Sequence, residues 1–221
     1  MRLLAAALAA LLTVPAARAG APGDRTPFTA ELLWKVKRLG EPALSPDGRR
    51  AVVAATSFDV KQDKALVDLW IVPTAGGDAV QLTSHEGPDA NPVWSPDGRW
   101  IAFEAKRGED EVSQLWVISP DGGEARRVTH HPTVPADLTW APDSRLVFFT
   151  AANEPSAAVK EKRRLQDDVF AFEETNFEHE HLWVTALDGT TTQVTFGDYS
   201  VTDYTLSPNG STVAMTRAPS P

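Results

Sequence analysis

Apolar and polar positions along the chain fall into short segments divided by tight turns. Between 91 and 103 the order is Asn91-Pro92-Val93-Trp94, then Ser95-Pro96-Asp97-Gly98, then Arg99-Trp100-Ile101-Ala102-Phe103. Proline presets φ at the second turn position, and Asp and Gly tolerate the next ones. Such a turn between two β-branched and aromatic runs predicts a β-hairpin. The pattern returns at Ser45-Pro46-Asp47-Gly48, Ala141-Pro142-Asp143-Ser144 and Ser207-Pro208-Asn209-Gly210. A second hairpin pattern interleaves with it. Leu69-Trp70-Ile71-Val72 precedes a Gly-Gly turn and Val80-Gln81-Leu82-Thr83. Leu115-Trp116-Val117-Ile118 precedes Asp121-Gly122-Gly123 and Arg127-Val128-Thr129, and Leu182-Trp183-Val184 precedes Asp188-Gly189 and Gln193-Val194-Thr195.

Spacing converts these patterns into an architecture. From each Leu-Trp to the next proline turn the distance is 26, 26 and 25 residues. From each proline turn to the next Leu-Trp it is 24, 20 and 41 residues. One leg is fixed and the other varies. The unit is therefore two hairpins, or four short strands, recurring at about 46 residues, which is the signature of a β-propeller blade. The expected fold is all-β, a partial propeller of four-stranded antiparallel blades with about three and a half blades present. The expected blades are 42–90, 91–137, 138–200 and an incomplete 201–221. The long third leg places an insertion at about 151–181. Phe58 to Val67 reads as a charged loop. Ahead of the blades, 20–41 reads as a linker followed by a short helix from Thr29 to Leu39. Thr29 is its N-cap, Leu32, Val36 and Leu39 share one face, and Gly40 ends it.

The alternation of the two hairpin types resembles the propeller repeats of TolB-type proteins and of the prolyl oligopeptidase family of serine peptidases. Phe28 to Gly40 running into Pro42 and Ser45-Pro46-Asp47-Gly48 resembles the lead-in of bacterial dipeptidyl aminopeptidase and acylaminoacyl-peptidase relatives, as does Asp167-Asp168-Val169-Phe170 through His181-Leu182-Trp183. The resemblance extends over roughly residues 27 to 221. It implies an N-terminal propeller segment that gates and binds short peptides for a C-terminal α/β-hydrolase domain carrying a Ser-Asp-His triad. No G-x-S-x-G nucleophile elbow occurs in this chain, so no catalytic residue is assigned to it. In dipeptidyl peptidase IV-like members a Glu pair on a propeller insertion holds the substrate's free α-amine. Glu173 and Glu174 resemble that pair in type and in lying on an insertion. The alternative from another class is a non-catalytic TolB-like binding module of the cell envelope, and a third is a degenerate fragment.

Other candidate chemistry has a plainer reading. Ser45, Ser95 and Ser207 open turns, where a hydroxyl bonds nearby backbone. In a strand His179 and His181 share a face, as a metal pair could, but no third ligand is near in sequence, and a polar strand edge accounts for them. His85, His130 and His131 read as loop residues. Lys160-Glu161-Lys162-Arg163-Arg164 reads as a solvated helical face. Trp70, Trp116 and Trp183 share one repeated position and Trp94 and Trp140 another, predicting core between blades. No metal or cofactor is implied.

Net charge is −9 over 221 residues. That excludes a general nucleic-acid surface. Cysteine is absent, which excludes disulfides and thiolate catalysis. Homo-oligomer formation is left open. Residues 1–19 read as a secretory signal peptide. Arg2 gives a positive start, Leu3 to Val14 is an apolar run short for a bilayer span, and Ala17-Arg18-Ala19 is a small-x-small cleavage site; an uncleaved anchor is the alternative. Because a propeller closes as a ring, the half blade at 201–221 leads to the expectation of a piece of a longer, periplasmic or secreted protein. N-terminal sequencing of the exported product is expected to start at Gly20. The loss of Arg2 and Arg18 then takes the charge from −9 to −11.

Overall fold

The structure, a computed structural model, describes residues 27, 29–165 and 178–219. The leader expected at 1–19 lies outside them, as do Glu173 and Glu174. Four antiparallel sheets follow one another along the chain. The first holds β1 (Arg38–Leu39), β2 (Ala43–Leu44), β3 (Arg50–Asp59), β4 (Lys64–Pro73) and β5 (Val80–Gln81). Here β1 and β2 share one edge of β3 and act as one broken inner strand. The second holds β6 (Asp89–Trp94), β7 (Ile101–Ala105), β8 (Gln114–Ile118) and β9 (Arg126–Arg127) in sequential order. The third repeats this with β10 (Ala136–Trp140), β11 (Leu146–Ala152), β12 (Glu180–Ala186) and β13 (Thr191–Gln193). The fourth is the pair β14 (Ser200–Leu206) and β15 (Val213–Ala218). This is a partial β-propeller of four-stranded blades, as the repeat predicts.

Two sequence expectations are corrected. The helix α1 spans only Ala30–Lys35, with the Thr29 hydroxyl capping Leu32 N–H at 3.2 Å. Val36 is already extended, because Arg38 and Leu39 are claimed by pairing with Thr56 and Ala55 of β3. Their ladder bonds outweigh a weak helical pattern at the frayed end. The helix buries none of its residues and leans on the sheet through Trp34, edge-on to Phe58 at 5.4 Å. The expected loop over Phe58 to Val67 is instead the end of a long hairpin. Here β3 and β4 pair over ten residues, and Asp59 Oδ1 closes the turn by accepting from Lys61 and Gln62 N–H.

Three of the four proline turns are held by the same pair of side chains, a serine and an Asp or Asn two residues on, while the third, opening on Ala141, keeps only the Asp143 bond from Arg145 N–H. Ser45 Oγ donates to Asp47 Oδ1 at 2.6 Å and accepts from Arg50 N–H, and Asp47 Oδ1 also accepts from Arg49 N–H. Ser95 and Asp97 repeat this with Arg99 and Trp100, and Ser207 and Asn209 with Ser211 and Thr212. The fourth turn position needs φ near +70°, and glycine supplies it at 48, 98 and 210. In the third turn Ser144 adopts φ 60°, a conformation that costs a non-glycine residue about 1–3 kcal/mol. Its hydroxyl accepts Asp97 N–H at 3.0 Å, which ties the third blade to the second.

The second hairpin has its own clasp. Thr83, Thr129 and Thr195 each accept, through Oγ1, the N–H of the leucine of the Leu-Trp pair in the partner strand (Leu69, Leu115 and Leu182), all at 2.9 Å. The residue just before each of those leucines is polar and buried: Asp68, Gln114 and His181. Gln114 binds both the N–H and the carbonyl of His131 at 2.8 Å, fixing the stretch that leads to the next blade.

Hydrophobic packing runs between blades. Val52, Leu69, Ile71, Trp94, Ile101 and Phe103 belong to one core joining the first and second blades, and Leu115, Val117, Leu138, Trp140, Val147 and Phe149 to another joining the second and third. Trp94 Nε1 donates to Ala43 O at 3.0 Å and Trp140 Nε1 to Val93 O at 3.2 Å, the same reach backward by one blade. Trp116 and Trp183 pack at the margins of these cores. Trp70 departs from the prediction, lying outside both under the Lys37 ammonium at 3.7 Å. A Thr129→Val substitution keeps shape but leaves the buried Leu115 N–H without an acceptor. It is expected to lower stability by about 1–3 kcal/mol in urea denaturation, whereas Ser207→Ala, at an exposed turn, is expected to cost less.

Candidate functional site

The inner strands of the blades carry a shared irregularity. In each, the inner strand runs one residue longer than its partner between two paired positions: Leu39 to Ala43, Ala90 to Val93, Ala136 to Thr139 and Val201 to Asp203. Such bulges re-aim side chains. The residues four before each turn opening are Glu41, Asn91, Asp137 and Asp203. Asn91 and Asp137 take the positive φ values of 50° and 52° that Asn and Asp tolerate. All four line one cavity of about 750 Å³, together with Glu104 and Tyr204.

The cavity is acceptor-rich and negatively charged. Asn91 Nδ2 donates to Glu104 Oε1 at 3.1 Å, and Thr150 Oγ1 to Asp137 Oδ2 at 2.8 Å. The Tyr204 hydroxyl donates to the Asp137 carbonyl. Burial pushes the Glu104 carboxyl above its ordinary value; Asn91 opposes this and Asp137 adds to it. Burial likewise raises the Tyr204 phenol. A donor-bearing or cationic ligand segment would find acceptors around this wall, on rigid strands rather than on loops.

The residues singled out by sequence sit elsewhere. Glu173 and Glu174 lie outside the described residues. The insertion leaves β11 after Ala152 and contains α2 (Ala157–Leu165), which carries the basic run; Arg164 pairs with Glu161 on its exposed surface. Among the described residues no group of three His, Asp or Glu could hold a metal ion. His179 lies beside Ser200, just ahead of β12. His181, expected at a polar edge, is fully buried against Tyr199. His131 lies in the loop between β9 and β10, as expected, but is buried. It packs edge-on to Trp183 at 4.5 Å and Phe149 at 5.7 Å. Sequence reading missed the lining residues, although a signal existed: an Asp, Glu or Asn stands four residues before every proline turn.

Fold and inner face together define the class, a partial β-propeller of the kind shared by peptidase-family and TolB-like proteins. The sequence matches the Tricorn protease N-terminal beta propeller domain over residues 64–168. It is 41% identical over 81 residues to "Dipeptidyl-peptidase 5" of Porphyromonas gingivalis, a stretch amounting to 37% of this chain and 12% of that protein. Among solved structures, TolB from Acinetobacter baumannii aligns with TM-score 0.57 at 19% identity, over 83% of this chain and 39% of that one. The acylaminoacyl peptidase of Pyrococcus horikoshii aligns with TM-score 0.53 at 18% identity, over 76% of this chain and 28% of that one. The chain thus spans a minor part of the relatives it matches.

Burial lowers the pKa of His131 below that of a free imidazole, and that of His181 as well, with His179 adding to the latter. Below about pH 6.5 the unfolded chain takes up protons that the folded chain refuses, so stability present above that pH is lost on acidification. Thermal midpoints are expected to fall between about pH 7.5 and 5.5, with a shallower fall in His131→Gln.

Proposed function

We propose that this propeller gates and binds short peptides for an α/β-hydrolase domain of a periplasmic or secreted serine peptidase, as its N-terminal segment. The observation that carries this reading is the cavity of about 750 Å³ walled by Glu41, Asn91, Asp137 and Asp203. Peptide backbones bring N–H donors, and a free N-terminus brings an ammonium; a carboxylate wall receives both through charge-assisted hydrogen bonds. The similarity to a dipeptidyl-peptidase supports the same substrate class. In this reading the insertion reaches the N-terminal side of the substrate through Glu173 and Glu174. Hydrolysis itself falls to the hydrolase domain, since this chain offers no nucleophile elbow.

A second reading is favoured by the alignment with TolB: an envelope propeller whose inner face binds a partner without chemistry. Calorimetric titration with free and N-acetylated tripeptides separates the two. Peptidase-type gating predicts saturable binding of the free peptides, weakened roughly tenfold (about 1.4 kcal/mol) in Glu104→Gln/Asp203→Asn and by acetylation. Glu173→Gln/Glu174→Gln is expected to act only on the free peptides. Absence of saturable binding for either peptide set would overturn it in favour of the envelope reading.

A further inference from the structure

The fourth proline turn differs from its siblings in one side chain. Where the others carry Asp47, Asp97 and Asp143, it carries Asn209, followed by Gly210 in the chain's single Asn-Gly pair. The Asn209 amide oxygen is held by three donors: Ser207 Oγ at 2.8 Å, Ser211 N–H at 3.1 Å and Ser211 Oγ at 2.8 Å. Three donors on one amide oxygen draw electron density from its carbon and stabilise negative charge developing on that oxygen, as in an oxyanion hole. The neighbouring main-chain nitrogen belongs to a residue without a Cβ, at φ +69°. Its N–H donates to Ser207 O within the turn, at 2.8 Å. Pro208 and Asn209 are exposed to water, while Ser207 and Gly210 are half-buried, Gly210 lying against the Pro142 ring.

We propose that Asn209 is a self-modifying site in the folded chain. It deamidates through a succinimide, and the aspartate product brings the fourth turn to the chemistry of its siblings. The Ser207–Gly210 bond opens, and water or hydroxide takes the Gly210 N–H proton. The nitrogen attacks Asn209 Cγ, forming an N–Cγ bond while the three donors hold the oxyanion. Nδ2 then takes a proton from water, the Cγ–Nδ2 bond breaks as the oxyanion collapses to the carbonyl, and ammonia leaves. Water opens the five-membered ring at Cγ to give aspartate, or at the main-chain carbonyl to give isoaspartate. No oxidation occurs; the balance is loss of ammonia and gain of water. The aspartate keeps the same donors, as Asp47 does with Ser45 at 2.6 Å and Arg49 N–H at 3.0 Å, now with charge assistance. Isoaspartate inserts a methylene into the main chain and cannot keep them. The step is independent of what the inner face binds.

The test incubates the folded full chain at mildly alkaline pH in oxygen-18 water, followed by proteolysis and mass spectrometry. Asn209 is expected to convert first, with oxygen-18 incorporated there, while Asn91 and Asn153 stay intact. Ser211→Ala is expected to slow conversion roughly threefold, through loss of one oxyanion donor. Asn209→Asp is expected to leave the thermal midpoint unchanged, and a lowered midpoint would contradict the product's fit. The proposal is overturned if the folded chain converts more than roughly tenfold slower than a synthetic peptide of 205–213, since the turn would then protect the amide rather than activate it. Conversion of Asn153 at an equal rate would overturn it as well.

Discussion

Packing of one sheet face against the next sheet is the constraint on which everything else rests. Strand β7 shows it most directly. Ile101, Phe103 and Ala105 face the first blade while Ala102 faces the third, and all four are completely buried. A sheet apolar on both faces has no stable existence alone. Burying a side chain such as Phe103 or Phe149 is worth about 1.5–3 kcal/mol, and each needs a neighbouring blade to do it. Leu44 makes the same point from the other side. It stands where Trp94 and Trp140 stand in the next two blades, and it is 63% exposed because no preceding sheet covers it among the described residues.

Hydrogen bonds give that packing its register. Apolar contact alone lets sheets slide, whereas the backward reach of Trp94 and Trp140 to the carbonyls of Ala43 and Val93 fixes each blade one step from the last. Within a blade, the Ser-Asp turns and the Thr-to-Leu clasps satisfy backbone groups that a tight turn or a strand end would leave bare. The buried polar residue before each Leu-Trp adds a third fastening. Where it is Gln114, every side-chain polar atom has a partner. Where it is Asp68, one oxygen is left without a partner, and burial raises its pKa with Asp89 adding to the effect.

These fastenings free the inner strands for another task. Packing on the inner strands is concentrated next to the turns, at Trp94 and at Leu138 and Trp140, and the bulge lies on the side of the strand away from the turn. The bulge turns Glu41, Asn91, Asp137 and Asp203 toward the common cavity. A negatively charged wall on rigid strands suits recognition of donor-bearing ligands. It also means that the cost of burying Glu104, whose carboxyl is raised chiefly by burial with a smaller push from Asp137, is carried by the strand scaffold.

The sequence by itself determined the repeat, the four-strand blade, the turn chemistry and the cap at Thr29, because these depend on residues a few positions apart. The helical character of the basic run at Lys160 to Arg164 was legible for the same reason. Tertiary structure decided what depends on residues from different blades. Val36 to Leu39 leaves the helical pattern because β3 offers a ladder. His131 and His181 become core because Trp183, Phe149 and Tyr199, distant in sequence, close around them. The cavity was legible only as a spacing, one acidic or amide residue four before each turn, since nothing local says that four such positions converge. That convergence is set by the rotation from blade to blade, which the interblade packing fixes and no short stretch of sequence contains.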